Sequence, residues 1–267
     1  MSIIFPVIVC IAKKELDYIK EFVKYHLALG FKRIYLYDNE DVPTYDKFLN
    51  EYIHFIEYMH LPFNNYQQPV QYIALADFQV NHLNNKKFNI THVAHIDIDE
   101  FIVLKKHNNI CNFINEFIVG DCQGIGMNWR YFGSSGHLEK SNEPVTMRFT
   151  LREEKGNKHI KTLFKKDHFV KYQTCHDIVL NYGYIKSTNG QIIEGPFNEN
   201  MDFSVIQLNH YKCKTLPEFR FIRTRQRADV VGDINENVDE IFRSTDINEV
   251  QDMYAHNFYK KIIDNWN

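Results

Sequence analysis

The sequence has few cysteines, no strong excess of either charge and no long apolar run. Its five cysteines are odd in number and include no Cys-x-x-Cys pair, so neither a disulfide framework nor a cysteine zinc site is predicted. The formal net charge of −3 over 267 residues gives no overall attraction to nucleic acid. No apolar stretch is long enough to span a bilayer and no basic segment precedes the apolar N-terminus, so we expect a cytoplasmic protein.

Two nucleotide-binding signatures are also missing. The chain contains neither G-x-G-x-x-G nor G-K-[ST], which excludes a dinucleotide fingerprint and a P-loop. No linker rich in Pro, Gly or Ser divides the chain, and no internal repeat is visible. With 44% hydrophobic residues the chain can bury a large core. We therefore predict a single domain over residues 1–267.

The first hundred residues alternate between strand and helix patterns. Apolar residues at helical spacing separate the first two apolar runs, and Gly30 stands where a glycine is expected after a helix. This alternation predicts an α/β fold with a doubly wound, mostly parallel central sheet. The predicted strands of this half cover 3–11, 31–37, 53–58 and 91–101, and a helix is predicted over 70–83.

The second half of the chain loses this alternation. We expect residues 1–105 to form a nucleotide-type half, and residues 106–267 to add a mixed sheet and C-terminal helices. The predicted strands of the second half cover 123–132, 145–151, 158–164 and 205–211, and helices are predicted over 110–119 and from Pro217 onward.

Two carboxylates stand at the end of the fourth predicted strand, in His95-Ile96-Asp97-Ile98-Asp99-Glu100-Phe101. If the strand runs through this segment, Asp97 and Asp99 lie on one face and Glu100 on the other. Carboxylates this close repel one another, and a divalent cation, a basic partner or water must relieve the repulsion. Oxygen ligands suit Mg or Mn, especially where substrate phosphates complete the shell. The alternative is a solvated turn that merely ends the strand.

Three other residues could build a site around these carboxylates. His210 ends a later apolar strand, where it could be a metal ligand or a hydrogen-bonded structural residue. Trp129 and Arg130 precede the turn Gly133–Gly136. An aromatic ring, a cation and a polar turn together could bind a sugar. An equally good interpretation is that Trp129 belongs to the hydrophobic core.

A general base and phosphate contacts have several candidates. His176 and Asp177 are adjacent, so at most one should face the site if the chain is extended there. Asp229 and Asp239 are rival carboxylates. Basic residues that could meet phosphates, or simply face solvent, are Lys158, Lys161, Lys165, Lys166, Arg220, Arg223, Arg225 and Arg227.

Several segments together resemble glycosyltransferase family 92 and related family-2-like enzymes of GT-A fold. They are VIVCIAKKELDYIKEFVKYHLALGFKRIYLYDNED, AHIDIDEFIVL, GMNWRYFGSSGH and NHYKCKTLPEFRFIRTRQRAD, in this order. The resemblance implies a GT-A domain in which residues 1–105 bind a nucleotide sugar and residues 106–267 bind the acceptor. It also implies metal-dependent, inverting transfer of a hexose, galactose being the expected sugar, from a UDP-sugar.

Carried over by position, the resemblance makes Asp99 the direct ligand of Mn or Mg, with Asp97 nearer the ribose and metal and His210 a further ligand. The base would be Asp177, His176 or Asp229. The nucleotide-sugar site would comprise Ala12, Lys13, Asp38, Asp97, Trp129, Arg130 and Lys161.

The expected partners are a UDP-sugar donor and a glycan or glycolipid acceptor, such as lipopolysaccharide or capsule, and no nucleic acid. Contact with the inner face of a membrane would be peripheral. Two alternatives stay open: a catalytically silent glycan-binding protein of the same fold, and a retaining transferase. A phosphatase of the haloacid dehalogenase type also uses Asp-x-Asp, but at the end of its first strand and not its fourth.

Overall fold

The computed structural model describes residues 3–62, 68–225, 228 and 237–265. Its strands are β1 (Pro6–Ala12), β2 (Arg33–Asp38), β3 (Ile56–His60), β4 (His92–His95), β5 (Glu100–Leu104), β6 (Cys122–Tyr131), β7 (Leu151–Arg152), β8 (Asn157–Lys165), β9 (Phe169–Tyr172), β10 (Ile178–Leu180), β11 (Tyr184–Lys186), β12 (Ile192–Ile193), β13 (Ile206–His210) and β14 (Val250–Gln251). Its helices are α1 (Ile19–Leu29), α2 (Val70–Asp77), α3 (Ile110–Phe117), α4 (Val145–Arg148), α5 (Leu216–Arg223), α6 (Val238–Thr245) and α7 (Tyr254–Asn265).

One large sheet has the strand order β12-β11-β6-β8-β4-β1-β2-β3, with β13 paired to both β6 and β5. The neighbours from β4 through β1 and β2 to β3 are all parallel. β8 is antiparallel to both β4 and β6, whereas β6 is parallel to β11 and β13. The predicted α/β fold, with a mostly parallel sheet and a mixed second half, is therefore confirmed.

Apolar layers cover both faces of the sheet. On one face, the rings of Phe22 and Tyr25 in α1 lie 5.9 and 5.1 Å from that of Phe101 in β5. On the other face, the ring of Phe78 packs against that of Tyr35 in β2, with 4.9 Å between the ring centroids. Phe78 begins the π-helical segment that continues α2. Alternate residues of β1 enter the two layers, which explains why its sequence is apolar throughout.

Gly30 ends α1 with φ +109°, as expected for a helix C′ residue. A Cβ there would come within 2.3 Å of the amide nitrogen of Asn109. Asn109 cannot easily move away, because its side chain caps α3 by accepting a hydrogen bond from the Cys111 N–H. The turn therefore needs glycine both for its backbone angle and for its lack of a side chain.

Replacing Gly30 by alanine is expected to lower the free energy of unfolding by about 2 kcal/mol or more, because left-handed strain and the clash add. Gly120→Ala is the matched control, since Gly120 has φ +61° but nothing within 4 Å of the added Cβ. It should cost about 1 kcal/mol. Urea denaturation of both variants measures the difference, and equal losses would contradict the steric part of this explanation.

The predicted strand over 91–101 is wrong, because the chain turns between β4 and β5. β4 is paired with β1 only as far as His95 opposite Val9, and its pairing with β8 ends at Ala94. Beyond these neighbours the chain closes a turn in which the Glu100 N–H donates to the Asp97 carbonyl, 3.0 Å away. Asp97 and Asp99 thus lie on a turn, and the assignment of faces by alternation does not apply.

The strand predicted over 145–151 is also wrong, because its first half forms α4. Pro144 occupies the N-cap position of α4. The carboxylate of Glu21 accepts hydrogen bonds from the N–H groups of Val145 and Thr146, at 2.6 and 3.0 Å. A buried carboxylate from α1 thereby satisfies the open end of this helix. No strand was predicted after 205–211, but β14 follows it.

Candidate active site

A cleft of about 340 Å³ opens at the carboxyl ends of the parallel strands. Ile11 and Lys13 lie at the end of β1, Asn39 follows β2, and the Asp97–Asp99 turn follows β4. Open α/β sheets bind ligands at this edge. The predicted site residues that line the cleft are Lys13, Asp97, Asp99, Trp129, Lys161, His176 and His210.

Donor groups engage both carboxylate oxygens of Asp97. Lys161 Nζ lies 3.0 Å from Oδ2, and Gln71 Nε2 donates to Oδ1 at 3.1 Å. The Asp97 N–H donates to Glu100 Oε2 at 2.8 Å, so Glu100 faces into the turn. Burial alone would raise the pKa of Asp97, but the neighbouring Lys161 ammonium lowers it below its usual value. Asp97 is therefore ionised and held in place.

Asp99 faces His210 across the cleft floor. Its Oδ1 lies 3.5 Å from His210 Nε2, and its side chain is 12% exposed. The Tyr211 N–H donates to the Asp99 carbonyl at 2.8 Å, which ties the turn to the end of β13. Burial would raise the pKa of Asp99, but His210, with Lys214 and Arg225, lowers it well below its usual value. Asp99 is therefore an ionised carboxylate beside an imidazole.

The donor set fits a divalent cation held by two protein ligands. Among the described residues, no three His, Cys, Asp or Glu side chains are grouped to hold an ion. The carboxylate of Asp99 and the imidazole of His210 nevertheless face each other on the cleft. Mg and Mn sites of this kind use one or two protein ligands and leave positions for substrate phosphates.

Trp129 anchors a group of aromatic rings beside the cleft. It stacks on His159 at a centroid distance of 4.9 Å, and the rings of His210 and His176 lie 4.6 and 5.2 Å away. Burial, with the nearby Lys161 ammonium, lowers the pKa of His176 to about 4, so its ring is neutral at pH 7. Trp129, His176 and His210 line the cleft and together form one of its walls.

Two predicted nucleotide-sugar residues, Asp38 and Ala12, lie behind the cleft surface. Asp38 is 0% exposed, and its carboxylate accepts hydrogen bonds from the backbone of Glu40, Thr44 and Tyr45. Ala12 is buried, and its carbonyl accepts from the Asn39 N–H at 2.8 Å. These two residues shape the loop after β2.

Arg130 points away from Trp129, as neighbours on a strand do. Its guanidinium stacks on Phe203 at 3.6 Å and donates to the Glu154 carbonyl. The Gly133–Gly136 turn likewise makes contacts within the fold, since the Ser134 N–H donates a hydrogen bond to Asp246 Oδ1 at 2.6 Å.

The three candidate bases have different positions. His176 lines the main cleft, whereas Asp177 faces a separate small cavity and accepts a hydrogen bond from the Thr174 hydroxyl. Only one of this adjacent pair therefore faces the cleft. Asp229 lies outside the described residues. Asp239, the other rival, forms an ion pair with Arg220 at 2.6 Å on the surface.

The predicted basic group divides between the cleft and the surface. Lys161, Arg223 and Arg225 line the cleft. Lys158 and Lys165 form ion pairs with Glu199 and Asp167, at 2.9 and 3.1 Å. Lys166 donates to a backbone carbonyl, that of Leu83. Arg227 lies outside the described residues.

Sequence reasoning missed Glu15, Asn39 and Gln71, which all line the cleft. Glu15 is buried, forms an ion pair with Arg225 and accepts a hydrogen bond from the guanidinium of that residue. Glu15 and Asn39 follow the first two strands, so their positions at strand ends were a usable signal. Gln71, at the start of α2, had no comparable signal, because only the fold brings it to Asp97.

Carboxylates, imidazoles and cations at the carboxyl edge of a parallel sheet are typical of α/β enzymes that bind charged ligands. Residues 5–258 match glycosyltransferase family 92, and the chain therefore belongs to this family. The resemblance drawn from the motifs is confirmed, and with it the prediction of a glycosyltransferase.

One solved structure similar to this chain is the crystal structure of S. aureus TarS 1–349, with 14% sequence identity and a TM-score of 0.42. The match covers 90% of this chain and 69% of that one. A comparison with curated proteins found no match. Within the described ranges, no helix combines the length and apolar character needed to cross a membrane.

Proposed function

We propose that this glycosyltransferase moves a hexose, with galactose the first candidate, from a UDP-sugar with inversion and with help from Mn or Mg. The observation that carries the proposal is the Asp99–His210 pair, whose Oδ1 and Nε2 lie 3.5 Å apart at the end of the parallel strands. A cytoplasmic glycan or glycolipid precursor of lipopolysaccharide or capsule is the proposed acceptor, reached by peripheral contact with the membrane.

The nucleotide would lie along the ends of β1 and β2, where Ile11, Lys13 and Asn39 line the cleft. The diphosphate would then meet Lys212, Arg223 and Arg225, which line the same cleft. Guanidinium groups suit phosphate oxygens because they donate in a planar fork. These three cations and the fixed turn would orient the donor before any bond breaks.

Asp99 and His210 would hold the metal ion. When bound, the ion supplies positive charge that stabilises the diphosphate leaving group. The Trp129 ring, whose centroid lies 4.6 Å from that of His210, would shield one side of this site from water, which would strengthen charge interactions there.

His176 is the proposed general base. Its Nδ1 lies 2.9 Å from the Ile160 carbonyl, which can only accept, so Nδ1 carries the proton. Nε2 therefore offers a lone pair to an acceptor hydroxyl in the cleft. Burial, with Lys161, lowers the pKa of His176 to about 4 in the unliganded protein. A bound diphosphate would raise that pKa toward neutrality, which improves proton acceptance.

The first test is calorimetric. UDP is titrated into the protein with and without Mn, and we expect Mn to tighten UDP binding at least about tenfold, because the ion would contact both the protein and the diphosphate. The same titration with uridine, which lacks phosphates, is the control and should show no coupling. Equal UDP affinity with and without Mn would count against a metal-dependent transferase and favour a silent glycan-binding protein.

A further inference from the structure

Lys161 lies beside the Asp97–Asp99 turn, and the proposed reaction does not require a lysine there. It stands on β8, is 1% exposed, and its Nζ lies 3.0 Å from Asp97 Oδ2 and 4.0 Å from Glu100 Oε2. We propose that Lys161 withholds Asp97 from the metal ion, so that Asp99 and His210 are its protein ligands. This inference rests on the metal-dependent function proposed above.

The contacts of Asp97 disfavour a metal ion at either oxygen. Lys161 engages Oδ2, and Gln71, which is 4% exposed, donates to Oδ1 at 3.1 Å. The Asp97 N–H is also engaged, by Glu100 Oε2 at 2.8 Å. The Asp97 side chain is 33% exposed on the cleft, but a cation bound to it would lie beside the Lys161 ammonium, 3.0 Å from Oδ2, and would be repelled by that charge.

Lys161 is itself held by its surroundings. Glu100 is fully buried, and its Oε1 has no hydrogen-bond partner within the described part of the chain. If Asp97 turned to a metal ion, the buried Lys161 ammonium would lose its closest partner. Only Glu100, at 4.0 Å, would then remain as a nearby carboxylate. Because a buried charge is costly without a close partner, the Lys161–Asp97 ion pair is expected to stay intact.

The strand register explains why this lysine reaches the turn. β8 runs antiparallel to β4, with Ala94 opposite Leu163. Lys161 therefore stands two residues beyond the last pair, beside the point where the chain leaves β4 for the turn. The position is fixed by backbone pairing on both sides, because Lys161 is also opposite Met127 of β6.

Asp99 has different surroundings. Its side chain faces the cleft, and His210 Nε2 lies 3.5 Å away, longer than a hydrogen bond. A metal ion between these two groups would keep most of its coordination positions for water and phosphate oxygens. The free protein should therefore bind the ion weakly, and a diphosphate should strengthen that binding.

Removing the cation tests this role. In Lys161→Met, which preserves most of the side-chain length, Asp97 becomes available as a third ligand. We expect Mn²⁺ to bind the nucleotide-free variant at least about tenfold more tightly than the wild type, because a ligand is gained and a nearby positive charge is lost. Electron paramagnetic resonance of free Mn²⁺ measures this without substrate or turnover.

The double variant Lys161→Met/Asp97→Asn is the matched control, because it removes the ion pair without changing the net charge. Its Mn²⁺ affinity should stay within about threefold of the wild type, since neither lost group is a ligand. Asp99→Asn should lose at least about tenfold in affinity. This comparison also decides the matter if the single Lys161 variant does not fold.

Two results would overturn the inference. One is Mn²⁺ binding to Lys161→Met that is no tighter than to the wild type. The other is a double variant that loses as much affinity as Asp99→Asn, which would make Asp97 a ligand. A wild-type protein that binds no Mn²⁺ even with saturating UDP would instead contradict the metal-dependent function as a whole.

Discussion

Asp99→Ala is expected to lower turnover of the nucleotide sugar by about 10² to 10³-fold while the chain stays folded. The magnitude is that of removing one preorganised group that stabilises developing charge. The fold should survive because the contact that ties the turn to β13 is the Asp99 carbonyl, which accepts from the Tyr211 N–H at 2.8 Å. Release of UDP from a UDP-hexose in the presence of Mn measures the loss.

Asp167→Ala is the control for this variant. Asp167 is an exposed carboxylate in a surface ion pair with Lys165, so its loss should leave turnover within about twofold of the wild type. Matching thermal melting curves would show that all three proteins are folded. Turnover by Asp99→Ala within about threefold of the wild type would contradict the assignment of Asp99.

The largest effect on stability is expected at a buried ion pair behind the cleft. Arg148 donates to both carboxylate oxygens of Glu218, at 3.0 and 2.7 Å, and the two side chains are 1% and 0% exposed. Glu218 also caps α5 with Thr215, and accepts from the Tyr18 hydroxyl at 2.9 Å. This pair therefore fixes α5, which contributes Arg223 to the cleft.

Arg148→Met should lower the free energy of unfolding by about 3–5 kcal/mol, because Glu218 would be left as a buried charge without its cation. Urea denaturation followed by circular dichroism measures the loss. Adding Glu218→Gln should recover at least about 1 kcal/mol, since glutamine keeps the cap but carries no charge. A double variant less stable than Arg148→Met alone would argue against the uncompensated charge as the cause.

Local patterns in the sequence predicted the first half of the fold. Apolar runs of strand length and the glycine after α1 report the βαβ start directly, because each feature depends on residues close in the chain. The Asp97–Asp99 pair could be found for the same reason. The turn that carries this pair could not be predicted, because it forms where β4 stops pairing with β1 and β8, and pairing between distant strands leaves no local pattern in the sequence.

Residues brought in from distant parts of the chain were harder to predict. Gln71 and Lys161 reach Asp97 from α2 and β8, and no periodicity reports such contacts. The family resemblance predicts Asp38 and Arg130 in the nucleotide-sugar site. The structure places both behind it, since the loop backbone takes the Asp38 carboxylate and strand alternation turns Arg130 to the other side.

The central claim is metal-dependent, inverting transfer from a UDP-hexose, and proton NMR of the sugar product tests it most directly. The protein is incubated with Mn and UDP-α-galactose, with water as the acceptor, and spectra are recorded before the released sugar mutarotates. The account predicts β-galactose as the first product, and no release once Mn is chelated. First release of α-galactose, or release that continues after chelation, would contradict it.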